Sequence, residues 1–278
     1  MKKYISPGGW FSLEYPTNWN EFEDEEDTFL FYDPNKWNGN FRISATKGKD
    51  SRYGDECVRS ELKENPSAVI TAIGKVQCAF SSESFRENGN VYTSYIWVMD
   101  YGTICIDCSF TTIKNGEKSI AEDIIHTIYV PKSQNGFHKE LIPIRILEVG
   151  EINAAYGRAE KTIKKELKTD FTGEEDDIAK LQQIIDSEKF KPQQKEIWSD
   201  FALTFGSIMV NEMEGMEWKT FVDGSTECPV LQFMNSNLII NPVDHIYNKV
   251  KQNEQIDLIA EYEKIQNAAE KGTKLKKK

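Results

Sequence analysis

The sequence predicts an α+β protein of two domains. Two observations carry this. The first half of the 278 residues consists of short alternating apolar/polar runs punctuated by tight-turn signals. The second half places its apolar residues at helical spacing. The expected boundaries are a first domain over 1–131, a linker over 132–147 that carries Asn135-Gly136 and Pro143, and a second domain over 148–278 that ends in a basic tail.

The elements follow in order. Residues 10–15 (WFSLEY) alternate as a strand, and an acidic run, Glu21 to Asp27, comes next, broken only by Phe22. FLFYDP and NFRISAT read as two strands joined by the turn Trp37-Asn38-Gly39-Asn40. Asp55 to Glu64 is helical and stops at Asn65-Pro66. Three strands then form a meander, with Asn88-Gly89-Asn90, Gly102 and Asn115-Gly116 as turn signals. A helix over 118–129 puts Ile120, Ile124, Ile125 and Ile128 on one stripe.

In the second half, one helix spans 146–169, with Ile152, Tyr156, Ala159 and Ile163 on a face. A second spans 176–190, with Ile178, Leu181, Ile184 and Ile185. A third opens at Pro192, where proline suits a helix start. Its apolar residues, Ile197 to Met209, nearly circle the axis, so it is expected at the centre of the domain core. Strands over 217–223 and 229–234, a short third at Asn237 to Asn241, and two closing helices complete the chain.

Composition narrows the function. No stretch approaches the ~18 apolar residues of a membrane span. Net charge is −11, which disfavours a nucleic-acid or anionic-membrane surface and suits a basic protein partner. Lys2 and Lys3 begin like a signal peptide, but Ser6-Pro7-Gly8-Gly9 interrupts the apolar stretch that should follow, so a cytoplasmic protein is expected. Five cysteines, an odd number with no zinc spacing, indicate neither a disulfide framework nor a metal knot. Cys105 and Cys108 form a CxxC, yet it lies in a strand, where residues three apart face opposite sides, so their sulfurs should diverge. The three histidines are widely spaced, and there is no HExxH, GxSxG, GxGxxG or Walker A sequence. No catalytic residue, metal or cofactor is therefore expected.

The remaining candidates are binding residues. Glu23, Asp24, Glu25 and Glu26 form a charge patch suited to steering a basic partner. Trp10, Trp19 and Trp37 have sheet-end packing as their ordinary role, and Trp37, at a hairpin tip, is the one expected at the surface. Trp218 and Asp223 flank a strand beside a glycine turn and could line a polar pocket.

Tyr15-Pro16 with Trp19 three residues on, followed by a hairpin, a helix, a three-stranded meander and a helix with an isoleucine stripe, resembles the PsbP-like fold over residues 1–131. That resemblance implies an α/β/α sandwich around an antiparallel sheet and carries over no functional residue. The whole chain resembles a bacterial two-domain family of unknown function, through Trp198, Phe205-Gly206, Trp218, Asp223-Gly224 and Asn241-Pro242. The second domain is then expected to be helical with a small antiparallel sheet. The function expected is a non-catalytic protein-binding module, of adaptor or immunity type. Two alternatives stand beside it: a hydrolase with an unrecognised carboxylate pair, and a small-ligand or lipid-binding protein. The sequence leaves the oligomeric state open.

Overall fold

The computed structural model describes the chain except residues 23, 25, 26, 115, 133–136, 225, 277 and 278, and gives no side-chain account of 272–276. Helix accounts for 37% of the chain and strand for 33%, in an α+β arrangement. Two compact units emerge: residues 1–142 with 223–226, and residues 143–222 with 227–278.

The first unit contains β1 (Lys2–Ile5), β2 (Ser12–Tyr15), β3 (Asn20–Phe22), β4 (Thr28–Tyr32), β5 (Asn40–Lys47), α1 (Tyr53–Glu64), β6 (Val69–Ile73), β7 (Val76–Glu87), β8 (Asn90–Tyr101), β9 (Ile104–Ile113) and α2 (Ser119–His126). β10 (Glu140–Pro143) runs to the boundary with the second unit. Seven strands form one antiparallel sheet in the order β3-β4-β5-β9-β8-β7-β6. β1 and β2 pair separately as a hairpin.

Strand alternation divides this sheet into two faces. One face carries Phe31, Phe41, Ile43, Cys78, Trp97, Met99, Ile106, Cys108 and Phe110. It packs beneath the β1–β2 hairpin and α2, which supply Tyr4, Leu13, Ala121, Ile124 and Ile125. Trp19 is fully buried in this layer, stacked near Phe110 at 6.5 Å. Burying each such large side chain contributes roughly 2–3 kcal/mol. The opposite face is covered at one end by α1, where Val58 packs on Ala79, Val98 and Cys105. The sandwich thus has a helix on one side and a hairpin plus a short helix on the other. β1, β3, β6 and β10 are additions to the sequence-based elements, β3 falling at the start of the acidic run and β10 within the expected linker. Lys2–Ile5 is too short to show a period, and Val69–Ile73 reads as a plain apolar run rather than an alternating one.

Gly54 fixes the position of α1. A Cβ there would lie 2.3 Å from Asp100 Oδ1 and 2.9 Å from the Asp100 Cα. Its absence lets the helix start touch the β8–β9 turn, where the Gly54 N–H donates to the Gly102 carbonyl at 2.8 Å.

The second unit contains α3 (Ile146–Leu167), α4 (Asp177–Asp186), α5 (Lys195–Glu212), β11 (Met216–Asp223), β12 (Thr226–Phe233), β13 (Ile239–Ile240), α6 (Pro242–Gln252) and α7 (Leu258–Lys276). As its pattern predicts, α5 is buried on almost every side, through Trp198, Phe201, Ala202, Phe205, Ile208 and Met209. It starts at Lys195 rather than Pro192, because residues 191–194 form a turn held by Gln194 N–H to the Lys191 carbonyl and by Lys191 N–H to Gln194 Oε1. Gly206 makes a notch in α5. A Cβ there would stand 2.5 Å from Cη2 of the Trp218 indole, which lies in the notch.

Candidate binding surface

α1 covers only part of its face of the seven-stranded sheet. Beyond it the same face continues through two mixed rows, Ser81–Ile96–Ser109 and Glu83–Ser94–Thr111, in which the Ser94 and Thr111 hydroxyls pair at 2.6 Å. The next row is apolar. Phe85 on β7 lies directly opposite Tyr92 on β8, and Tyr92 lies opposite Ile113 on β9. Phe85 and Tyr92 stack at 5.7 Å, and Trp37 meets Tyr92 edge-on at 6.1 Å. Trp37 is 40% exposed, Phe85 39% and Ile113 58%. The Trp37 indole N–H donates to Asn40 Oδ1. A cleft of about 360 Å³ adjoins the row, lined by Trp37, Asn38, Thr112, Ile113, Glu117 and Ile120 among others.

Trp37 is at the surface as expected, and the structure places it in a row whose other members the sequence did not single out. Phe85, Tyr92 and Ile113 lie 7 and 21 residues apart in sequence and meet only through the strand register. The signal available was their position at strand ends, each beside a turn. Trp10 is equally exposed, at 40%, and Trp19 is core.

The acidic candidates fare differently. Glu23, Glu25 and Glu26 lie outside the described residues. Asp24 accepts a hydrogen bond from Arg42 Nε at 2.6 Å, and its side chain is only 16% exposed. It is a counterion for an arginine on the sheet face, not a free steering charge.

Trp218 and Asp223, which could have lined a polar pocket, do not point the same way. The two residues are five apart on one strand and so face opposite sides. Trp218 lines a cleft of about 350 Å³ in the second unit with Ile152, Asn153, Tyr156, Val210 and Asn211. Asp223 belongs to the first unit and sits 3.3 Å from His138 Nδ1.

A pair of carboxylates does converge at the start of α3. The Arg145 guanidinium, 4% exposed, donates to Glu227 Oε2 through Nε at 3.1 Å and Nη2 at 2.6 Å. Glu148 Oε2 accepts from the Thr220 hydroxyl and from the Arg145 backbone N–H. Burial pushes the Glu148 carboxyl above its ordinary pKa, against the pull of Thr220 and Arg145. The oxygens engaged here close a helix cap. The pair is architecture, and it lends no support to the carboxylate-hydrolase alternative.

Cys105 and Cys108 diverge as expected. Cys105 lies under α1 and Cys108 on the opposite face of the sheet. All five cysteines are free thiols. Among the described residues, no helix is long and apolar enough to cross a membrane.

Fold and surface together define a two-unit α+β protein with a partly uncovered sheet face. The chain belongs to the family described as a domain of unknown function, DUF3805, which matches residues 1–153; a second domain of unknown function, DUF3806, matches residues 177–262. It is similar to a protein from Bacteroides thetaiotaomicron VPI-5482 known from a crystal structure, with 46% identity over 94% of this chain and 97% of that one, and a TM-score of 0.89. Its neighbours include the solution structure of a cyanobacterial PsbP from Synechocystis sp. PCC 6803, at 14% identity over 46% of this chain and 91% of that one, with a TM-score of 0.26. They also include LpqN of Mycobacterium tuberculosis, involved in cell envelope biogenesis, at 14% identity over 43% of this chain and 82% of that one, with a TM-score of 0.31. At those TM-scores neither of the last two bears on function. No curated protein matches the chain.

Proposed function

We propose that the chain is a non-catalytic protein-binding module, and that the exposed row Phe85–Tyr92–Ile113, with Trp37 against it, is its docking surface. The observation that carries this is the row itself: three apolar side chains in register across adjacent strands, joined by a tryptophan, on an open sheet face. Contiguous exposed apolar surface of this kind marks interaction sites, and tryptophan and tyrosine dominate binding energy at them. The cleft beside Trp37 suits one apolar anchor side chain of the partner. Glu83, which shares this sheet face with the row, and Glu117 at the cleft favour a partner whose anchor is ringed by basic groups.

The test is a comparison of three tagged proteins in native lysate: wild type, Trp37→Ala/Tyr92→Ala, and Trp10→Ala. A stoichiometric basic partner held by wild type and by Trp10→Ala, and lost from the double variant, supports the proposal. Its association with wild type should slow as salt rises, because steering between opposite charges is screened. A partner that survives the double substitution, or no stoichiometric partner at all, overturns it.

A further inference from the structure

Cys105 does not meet the other half of its CxxC, but another thiol, Cys57, packs on the same cluster. On α1 the sheet-facing positions are Gly54, Cys57, Val58, Glu61 and Leu62, at the spacing of one helix face. Cys57 packs on the cluster formed by Val58, Ala79, Val98 and Cys105, so the two thiols share one small apolar cluster between helix and sheet. Gly54 holds this helix turn against the β8–β9 turn by its bond to Gly102. Cys57 follows Gly54 by three residues and Cys105 follows Gly102 by three, so a single backbone bond anchors both thiols.

The two differ in access. Cys57 is partly exposed, whereas Cys105 is 1% exposed. Asp107, two residues on and on the same face, accepts the Cys105 S–H at 4.0 Å. Glu61 and Asp100 also bring negative charge near this cluster, Glu61 toward Asp107 and Asp100 toward Cys105.

We propose that Cys57 and Cys105 are a peroxide-responsive dithiol, closing to a disulfide that staples α1 to the sheet. Hydrogen peroxide supplies the oxidising equivalents. The Cys57 thiolate attacks one peroxide oxygen, the O–O bond breaks, and Cys57 becomes a sulfenic acid with loss of hydroxide, which leaves as water. The Cys105 sulfur then attacks the Cys57 sulfur. The S–O bond breaks, the S–S bond forms, and the Cys105 proton passes by way of Asp107 to the departing hydroxide, giving a second water. The sum is two thiols and one peroxide to one disulfide and two waters.

Burial and the Asp107 charge push the Cys105 thiol up, which makes it a poor first target and assigns the first step to Cys57. The other cysteines are less suited. Cys78 and Cys108 are buried on the opposite face with β8 between their strands, and Cys228 lies in the second unit.

The experiment is peroxide titration of the purified full chain, read by intact mass and by non-reducing peptide mapping. The expected result is loss of two hydrogens, a Cys57–Cys105 cross-linked peptide, and full reversal by dithiothreitol. With dimedone present, Cys105→Ser should trap a sulfenic adduct on Cys57 that wild type does not accumulate. Asp107→Asn should fold normally yet close the disulfide several-fold more slowly, an effect that a purely structural role for Asp107 does not produce. Sulfinic or sulfonic acid on Cys57 in wild type without a cross-link, or a cross-link joining any other pair, overturns the proposal. The wild-type mapping stands even if a cysteine variant fails to fold.

Discussion

At the scale of single residues, Asp107 illustrates how a strand face sets chemistry. Its carboxyl lies under the edge of α1, and burial, with the Glu61 charge as a lesser cause, pushes its pKa up to about 6. The folded state therefore binds the proton more tightly than the unfolded chain, whose value is 3.8. A raised carboxyl contributes its full stability below the unfolded value and loses it as pH climbs toward the folded one. Stability at neutral pH is accordingly lower than near pH 4 by this group's share. Asp107→Asn removes that dependence. It should be close to neutral at about pH 4 and stabilising by roughly 1–3 kcal/mol at about pH 7, with the difference developing between those limits. Urea melts at a series of pH values test this, and equal gains at both ends would refute it. None of this was readable beforehand. Asp107 lies between the two residues of a CxxC, and only the register with β5 and β8 and the lie of α1 show which neighbours it has.

At the scale of elements, periodicity was a good guide to regular segments and a poor one to their junctions. The meander β7–β8–β9 and the stripe of α2 follow their sequence signals closely, because the tight-turn residues punctuate the strands and the isoleucines of α2 all face one core. The near-circular pattern of α5 led correctly to a central helix. What it did not show was Gly206 as a seat for Trp218, since a notch needs its occupant, and that occupant comes from β11.

The start of α3 is a junction of the same kind. Its cap combines an arginine, a glutamate three residues on, a threonine from β11 and a second glutamate from β12. No local pattern joins these four. The consequence is asymmetric. Glu227→Ala removes a charged partner from a guanidinium that is only 4% exposed, and should cost about 2–4 kcal/mol in chemical denaturation. Arg145→Met/Glu227→Leu, which replaces both charges with apolar groups, should recover most of that loss. A double variant as unstable as Glu227→Ala would show that the charges themselves matter.

At the scale of the whole molecule, the α+β class and the family resemblance were legible in the sequence because both rest on the order of segments. The docking row was legible only at Trp37, which sits in a recognisable turn. Phe85, Tyr92 and Ile113 read individually as ordinary strand residues, and it takes the assembled sheet to bring them together. The acidic run, the most conspicuous feature of the sequence, contributes in its described part an ion pair on the sheet face.

The far edge of that sheet has a consequence of its own. β6 is the outermost strand, its five residues VITAI carry no charge, and Val69 and Ile70 are 56% and 58% exposed. An edge of this kind is a template for another chain, and proteins usually blunt it with a lysine, a proline or a bulge. Here the shield is collective: a net charge of −11 keeps copies apart at neutral pH. Near the isoelectric point of about 5.0 that repulsion vanishes while the edge is unchanged. Mild acidification toward that point should therefore favour pairing of two copies through their β6 edges, read as a rise in sedimenting mass, and charge substituted into Val69 or Ile70 should suppress it.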